Sequence, residues 1–82
     1  MTSYKVHITK KAVKFIEKQP EPQKTRLYSA IKRLPEKGDI IKMQGVEETY
    51  RLRVGNYRVI YEKEDDLMVI TVIEADNRGD IY

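Results

Sequence analysis

The sequence predicts an α+β domain in the order β-α-α-β-β-β, with a two-helix hairpin packed on one face of a small antiparallel sheet. Three observations predict it. Apolar residues recur at helical spacing between residues 12 and 34, the period falls to two from about residue 48 onward, and turn-forming residues stand where the pattern breaks. The chain of 82 residues makes one domain, 1–82, because chains divide into several cores only well beyond this length.

Each element has its own signal. Tyr4, Val6 and Ile8 alternate with Lys5 and His7, which suits a strand with one buried face. Thr9 then offers a side-chain oxygen to the first free amides of a helix. That helix places Ala12, Phe15 and Ile16 on one side, while Lys10, Lys11, Lys14 and Lys18 fall mostly elsewhere. Pro20 and Pro22 interrupt it, and Pro22 suits the opening turn of the next helix, where a missing N–H costs nothing. Leu27, Ala30, Ile31 and Leu34 follow the i, i+3, i+4, i+7 rule until Pro35 and Gly38 stop it. A loop through Gly45 follows. Strands are then expected at about 48–54, 57–63 and 67–75, from their β-branched and aromatic content. Gly55-Asn56 reads as a two-residue hairpin turn, Glu64-Asp65-Asp66 marks the next turn, and Asp76 to Tyr82 forms a short tail.

Composition excludes several classes of function. Cysteine is absent and His7 is the only histidine, so no disulfide, thiolate site or histidine cluster can hold a metal. No apolar run approaches the ~20 residues that cross a bilayer, and the N-terminus lacks a signal-peptide core, so the chain is expected to be cytoplasmic. The formal charge is +3, from 16 Lys+Arg against 13 Asp+Glu, a weak signal for nucleic acid until the charges are placed.

Register places them. With Gly55-Asn56 as a two-residue turn, Val54 meets Tyr57 and Arg53 lies directly opposite Arg58. Side chains alternate across a sheet, so Arg51, Arg53 and Arg58 share one face while Tyr50, Leu52, Val54, Tyr57, Val59 and Tyr61 share the other, under the helices. An even-length second turn adds Met68, Ile70 and Val72 to the core face, and Val69, Thr71 and Ile73 to the arginine face. Opposed like charges destabilise a strand pair by a fraction of a kcal/mol, on the order of 0.5, and no carboxylate in this segment separates them. Two answers are open. A phosphodiester would accept the guanidinium forks; alternatively the arginines splay into solvent or pair with Glu62 or Glu74. Ile60, Val69 and Ile73 likewise read either as residues covered by the tail or as a groove for a partner peptide. The tail adds Arg78 and the phenol of Tyr82, which neighbouring guanidinium charge would favour as phenolate.

The segment Tyr50-Arg51-Leu52-Arg53-Val54-Gly55-Asn56-Tyr57-Arg58-Val59-Ile60-Tyr61, the opening Tyr4-Lys5-Val6-His7-Ile8-Thr9 with its lysine-rich helix, and the closing Asn77-Arg78 with Ile81-Tyr82 together resemble the RelE/ParE toxin superfamily of type II toxin–antitoxin pairs. The resemblance spans nearly the whole chain and implies the RelE-like fold. It further implies a metal-independent endoribonuclease, an mRNA interferase that cuts mRNA in the ribosomal A site by attack of the 2′-hydroxyl on the adjacent phosphate and needs no cofactor. Matched by position, Arg58, Arg78 and Tyr82 become the catalytic set, and Arg51 and Arg53 bind RNA phosphate. Tyr82 serves as general base, Arg58 holds the scissile phosphate, and Arg78 stabilises the leaving oxygen electrostatically, since a guanidinium is a poor proton donor. The partners implied are a cognate antitoxin protein, mRNA and the ribosome, with no membrane. Two positions depart from the family's pattern: arginine replaces lysine on the second strand, and Asn77 stands where some relatives carry histidine. Two further readings share the fold, a ParE-like gyrase-inhibiting toxin without RNase activity and an inactive RNA- or antitoxin-binding domain. Retention of Arg58, Arg78 and Tyr82 favours the ribonuclease.

Overall fold

Thr9 fixes where the first helix begins and where it sits. Its hydroxyl accepts from the amide of Ala12 at 3.3 Å and donates to the carbonyl of Ile73 at 2.6 Å, so one side chain caps the helix and ties it to the last strand. The computed structural model describes residues 4–43, 45 and 48–77. Within them the order is β1 (Lys5–Ile8), α1 (Lys10–Glu17), α2 (Gln23–Lys32), β2 (Asp39–Lys42), β3 (Thr49–Val54), β4 (Tyr57–Glu64) and β5 (Val69–Asn77). No helix among the described residues is long and apolar enough to cross a membrane.

The helical hairpin on one face of a small sheet, followed by the strand-rich half, is the architecture expected. Two details extend it. A short strand, β2, occupies the stretch that reads as a loop, and the sheet order β1-β5-β4-β3-β2 has β1 parallel to β5. These are one omission rather than two. A helical hairpin returns the chain to the end of the sheet it left, and each later hairpin reverses direction. Three strands after the helices would leave the last antiparallel to β1, whereas four leave it parallel. With only four residues, β2 is too short to display a period.

The core lies between the helices and one sheet face. Ala12 and Ile16 from α1 and Leu27 and Ile31 from α2 meet Leu52, Val59, Tyr61, Ile70 and Val72, all at most 1% exposed. Leu34 is buried beyond the last turn of α2, and Met68, expected on the core face, sits in the β4–β5 turn at φ 55°. Tyr61 stacks on Tyr50 at 5.5 Å between ring centroids. Its burial, with a smaller contribution from Tyr50, pushes the Tyr61 phenol up to about 12. A group whose pKa rises on folding stabilises fully below its unfolded value and loses that contribution as pH climbs through the folded one. Stability should therefore fall between about pH 10 and 12. Tyr61→Phe should remove on the order of 2 kcal/mol of that fall, read as the pH dependence of the urea midpoint. An unchanged slope would mean Tyr61 does not ionise with unfolding.

Candidate functional site

β3 and β4 meet in the register expected from the Gly55-Asn56 turn: Val54 opposite Tyr57, Arg53 opposite Arg58, Leu52 opposite Val59, Arg51 opposite Ile60. Gly55 holds φ +60°, which the turn requires and glycine adopts without strain. Alternation from that turn puts Arg51, Arg53 and Arg58 together on the face turned away from the helices.

The arginines are not left to repel one another. β2 brings Asp39 opposite Arg53, and β5 brings Asp76 opposite Arg58, so a single row crosses four strands as Asp39, Arg53, Arg58, Asp76. Arg53 donates from Nε to Asp39 Oδ2 at 2.9 Å, with Nη2 also at 2.9 Å. Arg58 donates from Nε to Asp76 Oδ1 at 3.3 Å and from Nη2 to Oδ2 at 3.0 Å, a two-pronged pair whose side chains are only 22% and 26% exposed. This corrects the expectation drawn from the hairpin alone. The relieving carboxylates are neither Glu62 nor Glu74 but Asp39, from the strand read as a loop, and Asp76, from the strand end read as tail. Glu74 instead meets Lys11 of α1 at 3.5 Å. The like-charge conflict is thus answered inside the chain, and crowding alone argues for no bound polyanion.

A bulge in β5 is what delivers Asp76. Tyr61 pairs with Val72, yet Ile60 pairs with Glu74, so Ile73 is the extra residue. An unbroken register would set Arg58 against Ala75; the insertion turns Ala75 into the core and Asp76 onto the arginine face.

Arg51 is placed differently. Ile41 and Ile60 flank it on the neighbouring strands, and its Nε is buried with no acceptor among the described residues. A buried donor left without an acceptor costs about 1–3 kcal/mol. Ile60, Val69 and Ile73 are partly buried on this side of the sheet, and the hairpin reading missed Ile41, which is 43% exposed. Arg78 and Tyr82 lie outside the described residues; β5 ends at Asn77, opposite Tyr57 and one residue past Asp76. Away from the arginine row, Lys10, Lys11, Lys14 and Lys18 line an open groove of about 820 Å³ over Ile8 and Val13.

The family model described as ParE toxin of the type II toxin–antitoxin system, parDE, matches residues 6–82. Among solved structures, the chain is similar to one in the archaeal RelE–RelB complex from Pyrococcus horikoshii OT3. The identity is 34% and the TM-score 0.77, covering 96% of this chain and 98% of that one. It is similar also to a chain of the RelB–RelE antitoxin–toxin complex from Methanococcus jannaschii, at 29% identity and TM-score 0.75, over 93% and 94% of the two chains. The isolated E. coli RelE toxin shares the fold, at 20% identity and TM-score 0.77, over 93% and 85%. No curated protein matches the chain.

Proposed function

The chain belongs to the RelE/ParE superfamily of type II toxins, and we propose that within it the chain is an mRNA endoribonuclease working on the helix-free face of its sheet. The observation that supports this reading is the buried Nε of Arg51, which has no acceptor among the described residues and lies on the face that Arg51 shares with Arg53 and Arg58. The 34% identical relative belongs to a RelE–RelB complex, which supports RelE-type chemistry and a cognate antitoxin as partner.

In the proposed reaction the RNA 2′-oxygen attacks the adjacent phosphorus. A 2′,3′-cyclic phosphate forms, the P–O5′ bond breaks, the 2′-hydroxyl proton passes to the Tyr82 phenolate, and the 5′-oxygen leaves as a hydroxyl with a proton taken from solvent water. Arg58 stabilises the charge that grows on the pentacoordinate phosphorus, Arg51 and Arg53 hold flanking phosphates, and Arg78 is assigned the electrostatic stabilisation of the leaving oxygen. Such stabilisation is largest where the donors are held in advance, and the strand register holds Arg51, Arg53 and Arg58 to one face before any substrate arrives. Phosphate contacts of this kind position the strand without reading its sequence, so a preference for codon would come from elsewhere, such as the ribosome.

A second reading is a gyrase-inhibiting toxin, favoured by the ParE description of the matching family and by the carboxylates already paired with Arg53 and Arg58. Induced expression with mapping of new mRNA 5′ ends and of DNA breaks separates the two. New 5′ ends within translated mRNA, without DNA breaks, are expected; breaks without new 5′ ends would overturn the ribonuclease reading. Deleting Tyr82 should cost far more in turnover, about 100-fold or more for loss of a general base, than in antitoxin affinity. Equal losses in the two measurements would make the tail a structural element.

A further inference from the structure

We infer that Asp39 and Asp76 are resident anions of the arginine row, occupying the guanidinium edges an RNA phosphate takes, so that RNA must compete with the chain's own carboxylates. The inference rests on the reading of this face as the RNA site and adds two residues that set its affinity.

Three observations carry it. Both aspartates sit on the same edge of their arginines, contacting Nε and Nη2, Asp39 through Oδ2 alone and Asp76 through both carboxylate oxygens. That edge of a guanidinium is a planar fork which carboxylate and phosphate fill in equivalent geometry. The row is also symmetric in charge, negative at both outer strands and positive at both inner ones, and so formally neutral. Finally, each aspartate is delivered by a separate backbone device. Asp76 reaches Arg58 only because the bulge at Ile73 shifts the register. Asp39 follows Gly38, which holds φ +134° so close to β3 that a Cβ there would stand 2.6 Å from Leu52 Cδ1. A side chain at position 38 would be strained at that φ and would have to displace the tip of the Leu52 side chain. Two unrelated distortions that end in the same kind of ion pair point to the carboxylates themselves.

Neutralising either aspartate without changing its size should strengthen RNA binding, whereas a merely structural aspartate would weaken it. The probe is a single-stranded RNA oligonucleotide with 2′-O-methyl ribose, which cannot supply the nucleophile, bound to the full chain at ~0.1 M salt. Asp39→Asn and Asp76→Asn should each tighten binding by about three- to tenfold, and the double variant by roughly the product, since each removes one negative charge a few ångströms from the phosphate site. Asp66→Asn, in the β4–β5 turn at the far end of the sheet, makes the same change in net charge and should shift binding less than about twofold. Equal tightening by all three variants would reduce the effect to net charge and overturn the inference, as would weaker binding by the row variants. Asp39 is half exposed, so its variant keeps the test alive if Asp76→Asn, at the more buried pair, fails to fold. Arg58→Ala separates the two readings. If wild type binds RNA and Arg58→Ala binds equally well, RNA sits elsewhere and the reading of the face fails. If Arg58→Ala loses affinity while the aspartate variants gain none, only the competition fails.

Discussion

Arg58→Ala should abolish cleavage of mRNA, with a loss of about 10²–10³-fold, the usual consequence of removing one oriented donor from charge that develops in a transition state. The measurement is the mapping of mRNA 5′ ends after induced expression of wild type and variant. Retained cleavage would remove Arg58 from the site. The fold should survive with a modest loss. An exposed ion pair is worth less than about 1 kcal/mol and breaking a fully buried one costs about 3–5, so the partly buried Arg58–Asp76 pair should cost about 1–2 kcal/mol. Most of that is the stranded Asp76 carboxylate, which has lost the group that compensated its desolvation. Adding Asp76→Ala should recover stability, since no uncompensated charge remains, and should recover no cleavage. That split between melting temperature and turnover distinguishes a guanidinium acting on substrate from one that only braces the sheet.

The same pair shows how far the sequence alone reaches. Periodicity and turn chemistry are local properties, so the Thr9 cap, the two helices and the Gly55-Asn56 register were all legible in the chain, and with them the shared face of Arg51, Arg53 and Arg58. What stood beside those arginines was not. Asp39 belongs to an edge strand of four residues, whose pairing is decided by β3 rather than by any pattern of its own. Asp76 depends on a bulge, and one inserted residue exchanges the two faces for everything after it. Counting parity forward from the turn therefore assigns Ile70 and Val72 correctly and loses the thread after Ile73. The missing strand had a second consequence, because the direction of β5 against β1 depends on how many reversals precede it. Arg51 was legible as a face residue, but the lack of an acceptor for its Nε among the described residues goes with its place between Ile41 and Ile60, and Ile41 again belongs to the unseen strand.

The converse of the Arg58 experiment is Leu27→Ala, which should destabilise the domain without touching the arginine face. Leu27 is wholly buried on α2, in the core shared with Ile16, Ile31 and the inner face of the sheet. Deleting a buried leucine side chain to its Cβ costs about 2–5 kcal/mol, the transfer term plus the cavity left behind. A domain of this size holds roughly 4–12 kcal/mol in all, so the variant gives up a large part of its stability. At about 4–8 °C per kcal/mol for a chain this short, the midpoint should drop by roughly 8–40 °C in a thermal melt followed by circular dichroism. A drop below about 5 °C would show that α2 does not seal the core as described. Cleavage should then fall only in proportion to the unfolded fraction, and reappear when the variant is assayed well below its midpoint. A partner that binds only the folded chain should raise the midpoint of the variant and of wild type alike by mass action. Arg58→Ala gives the opposite signature, a smaller drop in midpoint with no recovery of cleavage on cooling, because what it lacks is a charge on the open face rather than volume beneath the helices.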